Sequence, residues 1–157
     1  MESMITVGWR EYVGLPQLNL PAIRAKVDTG ARTSALHAYR MEPFSREGAP
    51  WLRFWIHPLR KHRKVHVVAE APLVDERVVS DSGGNRTTRP FIRTDLLING
   101  QRWPIEVSLT RRDRMLFPML LGRTAMEERL VVDPARSFVL GRQAGRAFRK
   151  QLLNPPS

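Results

Sequence analysis

The sequence predicts a mainly β protein closed into a small barrel, with one short helix towards its C-terminal end. Short apolar or alternating segments recur between turns rich in Gly, Pro and Asn, which is the pattern of an all-β barrel. Asn99-Gly100 separates two strand-like arms and is the strongest hairpin signal in the chain. Only Thr124-Ala125-Met126-Glu127 carries the Thr-x-x-Glu spacing with which a capping box opens a helix. No internal repeat is present.

Taken in order, residues 5–20 read as a first strand with bends at Gly8 and Gly14. The pairs Leu15-Pro16 and Leu20-Pro21 favour extended turns and exclude a helix there. Ala22 to Val27 and Thr33 to Met41 are expected as strands on either side of a polar turn. Trp51 to Ile56 alternates, with Leu52, Phe54 and Ile56 on one face. Arg60-Lys61-His62-Arg63-Lys64 is a charged hairpin tip before a strand from Val65 to Ala71. Within 72–90, Asp81-Ser82-Gly83-Gly84-Asn85 forms a turn flanked by Val78-Val79 and Thr87-Thr88. Phe91 to Ile98 and Gln101 to Leu109 are the arms around Asn99-Gly100. On the second arm Trp103, Ile105, Val107 and Leu109 share a face, and Pro104 marks an edge strand or a bulge. The helix opening at Thr124 is expected to run to Arg129 or Leu130 and to stop before Asp133-Pro134. Ser137 to Leu140 is read as a last strand. One domain then spans 1–141, and 142–157 is a basic tail whose first part is a short helix and whose end frays.

A chain of 157 residues is long enough for a real core in one domain. It has no apolar run of about 18 residues, so no membrane span is expected. Met1-Glu2-Ser3-Met4 does not open a secretory signal. With no Cys there are no disulfides and no thiolate metal sites, and a cytoplasmic location is expected. Lys and Arg number 26 against 15 Asp and Glu, a net charge of +11. Such a surplus attracts nucleic acid, a ribosomal surface or an acidic peptide.

The chemistry centres on Ala25-Lys26-Val27-Asp28-Thr29-Gly30-Ala31-Arg32-Thr33-Ser34-Ala35-Leu36. An apolar approach enters Asp-Thr-Gly, a polar turn follows, and apolar residues resume. That is how a carboxylate held at a sharp turn between two buried strands should read. Gly30 is expected to take a backbone path that a Cβ would resist, and Thr29 to fix local backbone groups. Together with Met119-Leu120-Leu121-Gly122-Arg123, this stretch resembles the retropepsin-like aspartic peptidases. Within them it resembles the bacterial branch labelled RimK-associated or "ATP-dependent zinc protease". The resemblance covers about Ile5 to Gly141, including Val132-Asp133-Pro134 and Ser137-Phe138-Val139-Leu140-Gly141. It implies the acid-protease barrel as a single lobe, an Asp-Thr-Gly turn lying beside Leu121-Gly122, a substrate-covering flap near the Asp81 hairpin, and a functional link to an ATP-grasp ligase that attaches glutamates.

A lone aspartate is a weak base at neutral pH, whereas two carboxylates within hydrogen-bond reach share a proton and can activate water. Asp81-Ser82-Gly83 also fits the Asp-Ser-Gly form, but no apolar strand leaves it, so it reads as a flap or hairpin turn. The second carboxylate is therefore expected from Asp28 of another copy, in a C2 homodimer. Asp28, Thr29 and Gly30 are the catalytic candidates. Ala31, Arg32, Arg86, Arg89, Leu121, Gly122 and Arg123 are the substrate-binding ones, with arginines suited to the carboxylates of an acidic peptide; that the peptide is glutamylated is what the resemblance implies. No cofactor and no metal site is expected: His37, His57, His62 and His66 lack any His-Glu-x-x-His arrangement, and basic neighbours of His62 repel a cation. The bland alternative for Asp28 is a turn-capping aspartate. A second function class is a basic β-barrel that binds RNA or a ribosomal surface without turnover, although aromatic residues are not interleaved with its basic runs. A third is a peptide-binding domain that keeps the cleft without catalysis.

Overall fold

The computed structural model describes residues 3–111 and 116–155. Eleven strands and two helices make up the described chain: β1 Ile5–Val7, β2 Arg10–Leu15, β3 Leu20–Val27, β4 Ser34–His37, β5 Arg40–Arg46, β6 Ala49–Ile56, β7 Val67–Ser80, β8 Arg86–Ile98, β9 Gln101–Thr110, β10 Met119–Leu121, α1 Arg123–Met126, β11 Leu130–Val132 and α2 Gln143–Leu153. Nine of the strands form one sheet in the order β2-β3-β10-β4-β9-β8-β7-β6-β5, and β2 pairs again with β8. The run from β2 to β8 therefore returns on itself as a closed barrel. Closure occurs where Gly14 faces Leu97. A Cβ on Gly14 would stand 3.0 Å from the Pro21 carbonyl oxygen and 3.2 Å from the Leu97 Cβ, so the missing side chain lets the strands meet.

The barrel interior is apolar and continuous. Leu15, Leu18, Leu20, Ile23, Phe54, Ile92 and Leu96 are all fully buried in it. As the alternation suggested, Leu52, Phe54 and Ile56 are buried together from β6, and Trp103, Ile105, Val107 and Leu109 from β9. Asn99 and Gly100 have φ of 49° and 77°, the left-handed pair that a tight hairpin needs, and Glu47 and Gly48 repeat this between β5 and β6 at 52° and 80°.

Several boundaries differ from the sequence reading, each for a physical reason. The first segment splits at Gly8-Trp9 into β1 and β2, and Pro16–Leu18 forms a 3-10 turn with Pro at its start, where a missing N–H costs nothing. The segment from Thr33 splits after His37, because the Ala38 N–H turns to the Thr110 carbonyl and the Tyr39 N–H to that of Trp55. Val65 lies in the β6–β7 turn, donating to the His62 carbonyl. β7 and β8 run far beyond the expected limits, pairing from Leu73–Ile92 out to Ser80–Arg86. Pro104 lies in an interior strand, yet β4 pairs only with Val107 to Thr110, so at Pro104 the strand has β8 alone as its neighbour. α1 is four residues long and starts at Arg123; its N-cap is Gly122, with no side-chain cap, so the capping box does not form. Leu130 to Val132 instead pairs in parallel with β1. Ser137 to Leu140 is a turn rather than a strand, with Phe138 at φ 51°.

That turn is fixed by a residue the sequence reading passed over. Glu11 is fully buried, and its carboxylate accepts N–H groups from Gly8 at 2.7 Å, Val139 at 2.9 Å and Leu140 at 3.1 Å. The arrangement ties β2 to the chain leading into α2, whose Gly145 and Phe148 are buried. An Asp or Glu buried whole is expected only where it is satisfied in this way. Glu11→Gln places an amide N–H against a backbone N–H and should lower unfolding stability by about 1–3 kcal/mol, read by urea denaturation. A change of only a few tenths would mean that these contacts are not structural.

Candidate active site

Asp28 follows β3 and its position is set by the pairing of β3 with β10. These strands run parallel, with Ala25, Lys26 and Val27 opposite Met119, Leu120 and Leu121. One step further the Asp28 N–H donates to the Leu121 carbonyl at 2.9 Å. β10 is antiparallel to β4 on its other side. The strand entering the turn and the strand leaving it thus both lean on the same three-residue segment.

Beyond Leu121 the two segments stay joined. The Arg123 N–H donates to the Ala31 carbonyl at 2.7 Å and the Thr124 N–H to the Arg32 carbonyl at 3.0 Å. The Arg123 guanidinium reaches the Thr29 carbonyl at 3.2 Å. Gly122 donates its N–H to the buried Ser34 hydroxyl at 3.0 Å, and Ser108 donates its hydroxyl to the Ser34 carbonyl at 3.2 Å. A Cβ on Gly122 would lie 2.3 Å from the Thr33 carbonyl carbon. Only glycine allows this approach. Ser34 and Ser108 were missed in the sequence because a serine inside an apolar strand carries no local sign of its partner.

The Asp28 side chain is half-exposed. Its Oδ1 accepts the N–H groups of Gly30 at 2.9 Å and Ala31 at 3.2 Å. Among the described residues Oδ2 has no hydrogen-bond partner, so one oxygen is locked and the other faces outward. Gly30 serves differently from the expectation. Its φ is not in the left-handed region; its missing Cβ leaves room for Asp28 Oδ1, which would stand 3.2 Å from it.

The contacts bring Asp28, Thr29, Gly30, Ala31, Arg32, Leu121, Gly122 and Arg123 into one turn-on-turn unit. Thr29, Gly30 and Arg32 are exposed, while the Leu121 side chain is buried and Leu121 acts through its carbonyl. Arg123 also lies 3.8 Å from Glu127. Arg86 and Arg89 stand apart, on the outer part of β8 opposite Ser80 and Arg77. Arg77 is engaged by Glu106 at 3.0 Å and Asp75 at 2.8 Å, and Glu106 above all, with Asp75, raises its pKa above the ordinary arginine value. Asp81 closes the hairpin between β7 and β8, its Oδ1 accepting Gly83 and Asn85 N–H groups; it is a turn residue. The histidines are dispersed: His57 stacks on Tyr39, His66 meets the same ring edge-on, and His62 meets Arg149. Among the described residues no group of three or more His, Asp or Glu side chains could hold a metal ion.

A β-barrel in which Asp28-Thr29-Gly30 follows one strand beside a parallel strand that ends at Leu121-Gly122 has the form of a retropepsin-like lobe. Residues 6–143 match the family model described as "Retropepsin-like aspartic endopeptidase RimB", and the chain belongs to this RimB-like family. Two similar proteins are called "Probable alpha-L-glutamate ligase". The one from Desulfotalea psychrophila is 44% identical over 149 residues, covering 92% of this chain and 32% of the relative. The one from Parasynechococcus marenigrum is 47% identical over 141 residues, covering 90% and 30%. The chain thus spans about a third of the length of these relatives. A crystal structure of a Legionella pneumophila protein of unknown function is similar with a TM-score of 0.73 and 31% identity, over 87% of this chain and 98% of that one.

Gly122→Ala should destabilise the fold by about 1–3 kcal/mol or more, since a methyl group is forced into backbone, whereas a Cβ on Gly30 meets only Asp28 Oδ1 at 3.2 Å and should cost less. Thermal melts of the two variants compare them directly. Equal stability would show that the turn-on-turn packing tolerates a side chain.

Proposed function

We propose that the chain is an aspartic endopeptidase whose catalytic pair is Asp28 from each of two copies, acting on acidic or glutamylated peptides. The observation that carries this reading is the state of Asp28: one carboxylate oxygen is fixed by two backbone N–H groups, the other has no partner among the described residues, and Thr29 and Gly30 beside it are exposed. A turn-capping aspartate explains the first oxygen but gives no reason for the rigid Leu121–Thr124 bracing around it. The family description supports hydrolysis.

Two such carboxylates facing each other share one proton, because both cannot ionise comfortably at that separation. The ionised member takes a proton from water as the water oxygen bonds to the scissile carbonyl carbon. The protonated member donates to the carbonyl oxygen. Collapse of the tetrahedral species breaks the C–N bond, and the amine leaves with a proton returned by the pair. The two pKa values belong to the pair and not to either residue.

The substrate class rests on two supports. The net charge of +11 favours an acidic partner. The relatives named as glutamate ligases contain a segment like this chain within a longer protein, which supports a functional link between this domain and a ligase that attaches glutamate. Arg32, beside the catalytic turn, and Arg86 and Arg89, on the hairpin that would form the flap, are proposed to meet substrate carboxylates.

Cleavage of a Glu-rich peptide by wild type, Asp28→Asn, Asp81→Asn and chelator-treated protein tests the assignment. Asp28→Asn should lose about a thousandfold or more in rate, while Asp81→Asn and chelation leave turnover in place. Loss on chelation, or full activity in Asp28→Asn, would contradict it.

A further inference from the structure

A second feature lies outside the catalytic turn. A groove of about 320 Å³ runs between α2, the β6–β7 turn and the outer face of β3, and Arg24, Arg60, Lys61, His62 and Arg149 line it without any carboxylate. This contrasts with the strands, where Arg46, Arg53, Arg77 and Arg102 are each matched by an Asp or Glu. Among the described residues no ion pair involves Arg24, Arg60, Lys61 or Arg149. Arg149 instead donates to His62 Nε2 at 3.3 Å, since a guanidinium has no acceptor. Arg24 donates to the Leu116 carbonyl at 3.1 Å and lies over the Phe117 ring, so positive charge is gathered here with no carboxylate beside it, a surface that attracts anions.

The helix extends the same surface. Arg142, Arg146, Arg149 and Lys150 are exposed and lie on one side of α2, next to the buried Gly145 and Phe148. Arg142, Arg146 and Lys150 follow one another at about 6 Å along the axis, close to the spacing of about 6.7 Å between alternate residues of an extended chain. A small anion would satisfy one or two of these groups; a linear polyanion matches the series. Of the aromatic residues lining the groove, Tyr12 stacks on Phe138 at 5.3 Å and Phe148 is buried, so neither is set out as a stacking platform for a nucleic-acid base. Carboxylates need only the guanidinium and ammonium groups.

We propose that this groove, continued along α2, is a docking surface for an extended acidic polypeptide. It also has a geometric relation to the catalytic turn. Arg24, Lys26 and Asp28 alternate on one face of the strand, and Arg24 precedes Asp28 by about 13 Å along it. The binding claim stands apart from the peptidase reading; if both hold, the groove retains the acidic part of a substrate while another part reaches Asp28.

The test uses the Asp28→Asn protein, which separates binding from turnover, and fluorescence anisotropy with a labelled oligo-glutamate peptide. Binding should weaken as salt is raised and be about tenfold weaker in Lys61→Gln/Arg149→Gln. Arg40→Gln/Arg102→Gln removes the same charge from arginines paired with Glu42 and Asp95 and should bind like the parent. If the first pair fails to fold, Arg146→Gln/Lys150→Gln on the exposed stripe gives the same reading. Equal binding in the groove variant and the parent, or equal loss in the paired-arginine control, overturns the groove. Tighter binding of a single-stranded RNA of matched charge, lost in the groove variant, overturns the occupant.

Discussion

The parallel pairing of β3 with β10 is the constraint on which the site depends. It brings Asp28 to the Leu121 carbonyl and then lets Arg123 reach Thr29, 94 residues away in the chain. Backbone hydrogen bonds are directional and short, so three in succession leave the turn little freedom. β4 and β9 are also parallel, and parallel pairs require long connections. The barrel therefore cannot assemble the turn locally: much of the chain between β4 and β10 must be in place first. Gly122 and Ser34 sit where these layers press closest, which is why one lacks a side chain and the other offers a hydroxyl to an N–H that would otherwise be buried unpaired.

How much of this was legible in the sequence varied with the kind of signal. Asp28-Thr29-Gly30 was readable as a turn because its chemistry and apolar flanks are local, whereas Leu121-Gly122 was found only through the resemblance to the retropepsin-like peptidases. The closed barrel was readable from alternation, as in Trp51 to Ile56, and from Asn99-Gly100. The outer halves of β7 and β8 were not, since an exposed ribbon carries residues such as Asp75, Glu76 and Arg77 and shows no buried face. α1 was over-extended because Leu130 and Val132 serve a strand that pairs with distant β1, and a helix-start pattern cannot reveal that competition. Glu11 looked like a surface charge. Its three N–H partners come from Gly8 and from a turn more than a hundred residues on.

Electrostatics divides the molecule in two. On β5, β6, β7 and β9 the arginines are matched by carboxylates, as where Arg46 and Arg53 both hold Glu70 and keep its pKa below the usual value. These pairs are exposed and contribute little each. Around α2 and the β6–β7 turn the cations are unmatched. The surplus of +11 is thus not spread evenly as a solubility device but is gathered in part beside the strand that delivers Asp28.

The central claim is that the reaction needs the same carboxylate from two copies of the chain. In this proposal Asp28, with its unbonded Oδ2, supplies half of a water-activating pair from each copy, and neither half is a competent base alone. Mixing wild type with rising fractions of Asp28→Asn at fixed total protein, after exchange of subunits, measures this directly. A shared pair predicts that specific activity falls as the square of the wild-type fraction, because mixed dimers are inactive. A fall in simple proportion to the wild-type fraction would mean that one Asp28 suffices, and would contradict the account.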